Sequence, residues 1–244
     1  MALQPIRKVA GNRLTAIMQV RNEANRYLSR VLENLSAFCD DIVIVDDAST
    51  DNTADVCKSF PKVTKLVTSN ESRFQREWEL RTILWQAVSE LEPDWVIAVD
   101  ADELYEQRMQ TEVSRLINQD QFDWIGFRFY DFWGCETHYR DDEHWNIHRR
   151  HTMTLARYFH TYPYFYPKME HHVPRLPLTY SALPGFHSDV RVKHLGWAGD
   201  ADERFSKYLR YKERDPNGQW GSLAHYESIL DPKPNLVAWE DDAE

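Results

Sequence analysis

Trp95-Val-Ile-Ala-Val-Asp100-Ala-Asp102-Glu103 is the stretch on which the fold turns. An apolar run with two valines and an isoleucine reads as a strand buried on both faces. It runs straight into three carboxylates. Side chains at i and i+2 leave extended backbone on the same side, so Asp100 and Asp102 are placed to face one ligand. A divalent cation with the phosphates it carries is the ligand such a pair suits.

Upstream, the same pattern repeats. Leu14 to Val20 reads as a first strand, ending at Arg21-Asn22-Glu23. From Ala24 to Phe38 the apolar residues Tyr27, Leu28, Val31, Leu32, Leu35 and Phe38 recur at three and four, the stripe of a helix lying on a sheet. Asp41 to Asp47 reads as a second buried strand. Thr50 or Asp51 then offers an N-cap for a helix reaching about Phe60. Val63 to Val67 is a third strand, and a helix from about Gln75 to Leu91 is punctuated by Pro93 before the Asp-Ala-Asp strand. Crossovers of this length favour parallel pairing and right-handed connections. The expected fold is therefore α/β, with a mostly parallel central sheet flanked by helices. In such a sheet ligands bind beyond the carboxyl ends of the strands. Residues 21–23, Asp46, Asp47, the loop around Arg73 and Arg76, Asp100 and Asp102 are thereby gathered on one rim.

Composition narrows what the rim binds. With 42% hydrophobic and 28% charged residues among 244, the chain has the makings of one large domain, or one with an elaborated end, and wholesale disorder is excluded. A formal charge of −10 opposes loose binding to nucleic acid. No apolar run approaches the roughly 20 residues of a membrane helix, and residues 1–12 lack the apolar core of a secretory signal, so the expected location is cytoplasmic. Cys39, Cys57 and Cys135 are odd in number and lack short metal spacing. Neither a dinucleotide fingerprint nor a P-loop is present, so any phosphates here must be held by a metal and arginines. The segment from Arg128 to Arg175 differs from the acidic remainder, holding six arginines and seven of the ten histidines, and is taken as the other half of the site.

Leu14 to Glu23, the run from Ile42 to Thr53, Phe74-Gln75-Arg76 and Val99 to Glu103 together resemble the nucleotide-sugar half of glycosyltransferase family 2, with its Rossmann-like GT-A fold. The resemblance is close over residues 13–105 and fades afterwards. It implies a single domain with a donor half (13–105), a C-terminal acceptor-side extension (106–230) and a tail (231–244). It also implies a nucleoside diphosphate sugar donor, UDP-sugar favoured, a glycan or other hydroxyl acceptor, Mn²⁺ or Mg²⁺, and inversion at the sugar carbon. By position, the resemblance assigns Asp47 to the base and Val20, Asn22 and Glu23 to the nucleoside pocket. Asp100 would face the ribose or metal, Asp102 would ligate the metal, and Arg76 would lie near the diphosphate. Glu77 stands where many members have Asn.

Inversion calls for a general base. The candidates are Asp141, Asp142, Glu143 and Glu170; Glu170 is preferred for its setting among histidines and arginines, with Asp142 second. A surface ion pair to Arg175 or Lys168 is the plainer role for Glu170. His194 resembles the late histidine that some GT-A enzymes give to the metal, a structural role being the alternative. His171 with His172, and His148 with His151, lack metal spacing and are assigned to the acceptor pocket or packing. Most aromatic residues from Phe129 to Tyr166 are assigned to the core, with a few as sugar platforms. In a last helix from about Asp202 to Arg214, Phe205, Tyr208 and Leu209 are expected inward. Lys207, Arg210, Lys212 and Arg214 are expected outward, as a solvated face or, more sharply, a weak contact with an anionic membrane. Two other readings compete. A phosphotransferase with an Asp-x-Asp nucleophile is disfavoured, because the motif lies on the fourth strand. A catalytically inactive nucleotide-sugar or carbohydrate-binding protein of the same fold is the alternative in function.

Overall fold

The structure, a computed structural model, describes residues 7–241 apart from 74, 171 and 220. In chain order its main elements begin with β1 (Leu14–Val20), α1 (Leu28–Ser36), β2 (Asp41–Asp46), α2 (Thr53–Lys58), β3 (Val63–Thr68), α3 (Glu77–Ser89) and β4 (Trp95–Ala98). They continue through β5 (Glu103–Tyr105), α4 (Met109–Ile117), β6 (Trp124–Trp133), β7 (His138–Arg140), β8 (Thr152–Arg157) and β9 (Gly185–Trp197). The last are α5 (Ala201–Arg214), α6 (Leu223–Glu227) and β10 (Leu236–Ala238).

Strands β3, β2, β1 and β4 lie side by side and all parallel. Their side chains alternate between two cores. On one face Ala16, Met18, Ile42, Ile44, Trp95 and Ile97 pack with Leu28, Val31, Leu32 and Leu35 of α1. On the other, Ile17, Val43, Val45, Val96 and Ala98 pack with Leu80, Leu84, Trp85 and Val88 of α3. The strict period of two is why each of these strands reads as continuously apolar. Truncating a residue such as Leu32, which is wholly buried, costs about 2–5 kcal/mol.

Helix boundaries differ from the periodicity at their ends. α1 begins at Leu28 rather than Ala24. The N–H groups of Glu23 and Ala24 are taken instead by Thr53 Oγ1, at 2.8 and 3.1 Å, which holds residues 23–27 in turns. Asp51 accepts from Thr53 N at 3.0 Å, yet the N-cap position of α2 is Asn52.

Beyond β4 the sheet turns mixed. β8 is antiparallel to both β4 and β6, and the long strand β9 runs parallel to β6 and antiparallel to β5. β10 pairs with β7, so residues 236–238 of the tail form an edge strand.

Candidate active site

A cavity of about 710 Å³ opens beyond the carboxyl ends of β1 and β4 and is roofed by α5. That volume suits a nucleotide-sized ligand. Strand register gathers its acidic floor. β5 pairs Glu103 with His194, and β6 pairs Asp131 with the same histidine, so Asp102, His194 and Asp131 are drawn together although they span ninety residues of chain.

His194 Nδ1 lies 2.5 Å from Asp131 Oδ1, and its Nε2 lies 3.7 Å from Asp102 Oδ1. Asp131 thus orients the ring so that the other nitrogen faces Asp102, the arrangement by which a carboxylate behind a histidine fixes a metal ligand. Burial opposes a charge on His194, but Asp102 and Asp131 outweigh it and lift its pKa to about 9. Space for a cation is kept by Gly196. A Cβ there would stand 2.6 Å from His194 Nε2 and 2.8 Å from Asp102 Oδ2. Among the described residues no three His, Cys, Asp or Glu side chains close round one point. The donor set fits a divalent ion held by one carboxylate and one imidazole, with oxygen ligands still to come from elsewhere.

Asp100 is tied differently. Arg175 Nη2 lies 2.9 Å from its Oδ2 and Arg81 Nη2 lies 3.8 Å from its Oδ1. Burial works against ionisation, but these two guanidinium groups hold the Asp100 carboxyl below the usual range. Arg175 also forks onto the buried Glu103, donating to Oε2 at 2.6 Å and to Oε1. Glu103, the third carboxylate of the Trp95–Glu103 stretch, is an anchor for Arg175. Arg81 was not singled out from sequence, and Arg175 was named only as an ion-pair partner for Glu170, whereas it binds Asp100 and Glu103.

The roof corrects the expected facing of the last helix. Phe205 and Leu209 of α5 are 48% and 51% exposed, whereas Lys207, Arg210, Tyr211 and Arg214 line the cavity. Tyr208 does point inward, against the Trp133, Trp145 and Trp197 cluster. The reason is electrostatic: this helix lies over carboxylates at strand ends, so its basic stripe turns in. Lys207 donates to the Gly196 carbonyl. Burial depresses its pKa to about 8, against the pull of Asp102.

Glu23, Asp100, Asp102 and His194 line the cavity; Val20, Asn22, Asp47, Arg76, Glu170 and Asp142 do not. Burial raises the Glu23 pKa to about 6, with Arg26 opposing and Asp102 assisting. Val20 is buried at the end of β1. Asn22, at φ 55°, accepts from Thr50 N at 2.8 Å, and Asp47 accepts from Ser72 Oγ and Arg73 N, both at 2.7 Å. These contacts brace the loops after β1, β2 and β3 against one another. Arg76 is exposed and pairs with Glu79 at 2.9 Å. Asp142 holds Arg140 at 2.5 Å and accepts from His144 and Trp145 N–H groups, so its carboxylate serves a turn. Glu170 is exposed, two residues before the cavity-lining His172. Phe74 and His171 lie outside the described residues. Of the aromatic residues, Trp145, Trp197, Tyr211 and Tyr226 reach the cavity wall.

The sequence model of Glycosyl transferase family 2 matches residues 15–170, well over half of the chain and including β1, β2, β4 and both aspartates of the floor. The chain belongs to that family. As a family 2 glycosyltransferase it shares its fold with Staphylococcus aureus TarS 1–349, solved with UDP-GlcNAc. The TM-score is 0.55 at 16% identity, over 89% of this chain and 70% of that one. The mannosyltransferase PcManGT of Pyrobaculum calidifontis, solved with GDP-Man and Mn²⁺, gives 0.50 at 14% identity, over 94% and 70%. A Mycobacterium tuberculosis protein described as uncharacterized is 35% identical over 99 residues, 38% of this chain. The family 2 chain spans 24% of that relative's length and 42% of the longer TarS chain. No helix among its described residues is long and apolar enough to cross a membrane.

Proposed function

We propose that this glycosyltransferase moves a sugar from a nucleoside diphosphate sugar, with UDP-sugars to be tried first, to a hydroxyl acceptor with inversion. One observation carries the reading: Asp102 and His194 converge on a space that Gly196 leaves open, directly beneath Lys207 of the basic roof. Asp102 and His194 would hold Mn²⁺ or Mg²⁺, which when bound neutralises charge building on a departing diphosphate.

The chain's own groups do the rest. Lys207, half-buried, and Arg210, exposed, reach the diphosphate from above, Lys207 counting for more because it is partly shielded from water. Arg175 and Arg81 keep Asp100 ionised and fixed, as a hydrogen-bond acceptor for a ribose hydroxyl. Asp47 and Asn22 act at the nucleoside end, Asp47 toward the base, with Val20 and Glu23 as the pocket wall and Arg76 at its diphosphate side. For the acceptor's proton we retain Glu170 ahead of Asp142. The Asp142 carboxylate is occupied by Arg140, whereas that of Glu170 has no charged partner among the described residues.

Calorimetry with UDP tests the reading directly. UDP is expected to bind at least about tenfold more tightly with Mn²⁺ than without, and Asp102→Asn to abolish the difference. Equal affinity with and without metal would sink it. For the base, Glu170→Gln is expected to lower kcat by about 10²–10⁴ at unchanged donor KM.

A further inference from the structure

Seven basic side chains and six carboxylates line the cavity, and one of the basic groups, Arg150, stands without a carboxylate against it among the described residues. The cavity's carboxylates are largely spoken for. Asp100 is bound by Arg175, Asp131 by His194, and Glu77 by Arg81 at 3.1 Å. Asp215 accepts from Gly221 N and the Tyr226 hydroxyl, each at 2.9 Å. Glu23 has Arg26 at 3.8 Å. On the roof, Lys207 and Arg210 answer the diphosphate, and Asp102 answers the metal. Arg150 also lines the cavity, and among the described residues no carboxylate lies within ion-pair distance of it.

Arg150 stands on the wall remote from the nucleoside. It closes the short turn after Trp145 and Asn146, in the segment joining β7 to β8. That turn packs on β6, which in the sheet is three strands from β1, on the opposite flank from β2 and β3. At about 4.8 Å per strand, that is roughly 14 Å across the cavity mouth. The same wall is built rigidly: Trp145 stacks on His225 at 4.5 Å and packs edge-on to Trp197 at 4.8 Å, and Trp145 Nε1 donates to Ser228 Oγ at 2.8 Å. Trp145 is itself buried and so stiffens this wall, and an unpaired guanidinium held on a stiff wall suits a sugar that carries an anion.

We propose that the acceptor is an acidic saccharide, its phosphate or carboxylate held by Arg150 on the wall formed by Trp145 and His225. This rests on the donor reading above, and one titration series separates the two. First, UDP with Mg²⁺ is titrated into the full chain. With both saturating, and at constant ionic strength, glucose 6-phosphate, glucuronate and glucose are then titrated in turn.

At least one acidic sugar is expected to bind about ten to a hundred times more tightly than glucose, as a charge-assisted contact predicts. The stronger of the two identifies phosphate or carboxylate. Arg150→Gln is expected to erase the preference without changing UDP affinity, and Arg150→Lys to keep part of it. Arg150 is exposed, so neither variant threatens folding. Equal binding of glucose and both acidic sugars, or a preference that survives Arg150→Gln, overturns the proposal. If UDP does not bind, the three sugars are titrated without it, and an acidic preference that Arg150→Gln erases then overturns the donor reading alone.

Discussion

Gly196 is the smallest residue in the site and sets its capacity, since a methyl group there would occupy the space between Asp102 Oδ2 and His194 Nε2. Its backbone is not among the left-handed ones, so alanine meets no conformational penalty and tests the space alone. Gly196→Ala is expected to weaken Mn²⁺ binding at least about tenfold, as read by electron paramagnetic resonance titration, because the added methyl displaces the Asp102 carboxylate and the His194 ring. Glu23 offers a second test at this scale. Its folded pKa of about 6 stands above the ordinary 4.5, so the fold disfavours the ionised form. Stability from this group is therefore full below about pH 4.5 and is lost as pH rises through 6. Glu23→Gln, neutral throughout, is expected to raise the melting temperature at pH 7.5 but not at pH 4.5. An equal effect at both pH values would refute a buried, reluctant charge.

At the scale of elements, the helices that cover the sheet were legible and the helix that covers the cavity was half so. Leu28, Val31, Leu32 and Leu35 announce α1 because the partner beneath them is apolar. The 3.6 period of α5 was equally clear, but periodicity reports two faces without saying which is inside. That choice was made by Asp102, a hundred residues away. With its basic stripe inward, α5 leaves Phe205 and Leu209 in solvent. Substituting serine at either is expected to change stability by no more than about 0.5 kcal/mol in denaturant unfolding, as for other exposed sites. Lys207→Met is expected to act on ligand binding instead. It should weaken UDP about ten- to a hundredfold and uridine hardly at all, since only the diphosphate needs the cation. Similar losses for both ligands would place Lys207 elsewhere than over the phosphates.

Across the whole molecule, the parallel half could be read from the sequence because each strand and helix there is local and repeats one pattern. The mixed half could not. β8 inserts antiparallel between β4 and β6, and β9 reaches back to β5; such register is decided by partners far along the chain. Asp131 went unnoticed for that reason, its role existing only once β6 and β9 are aligned. β10 was equally hidden, a short segment whose neighbour Trp239 is held by Arg191 at 4.0 Å from its ring. The cavity joins the two halves, taking its floor from residues 100–102 after β4 and from β6 and β9, and its walls from α3, α5 and α6. A ligand bound there should stabilise both together. With UDP and Mn²⁺ at about 100 times Kd, mass action contributes about 2.7 kcal/mol. For a chain of this size that amounts to about 5–10 °C in melting temperature. The expected calorimetric scan is one transition displaced as a whole. Two transitions, only one of them moved by the ligand, would mean that the donor site belongs to residues 13–105 alone and that the roof of α5 takes no part in binding.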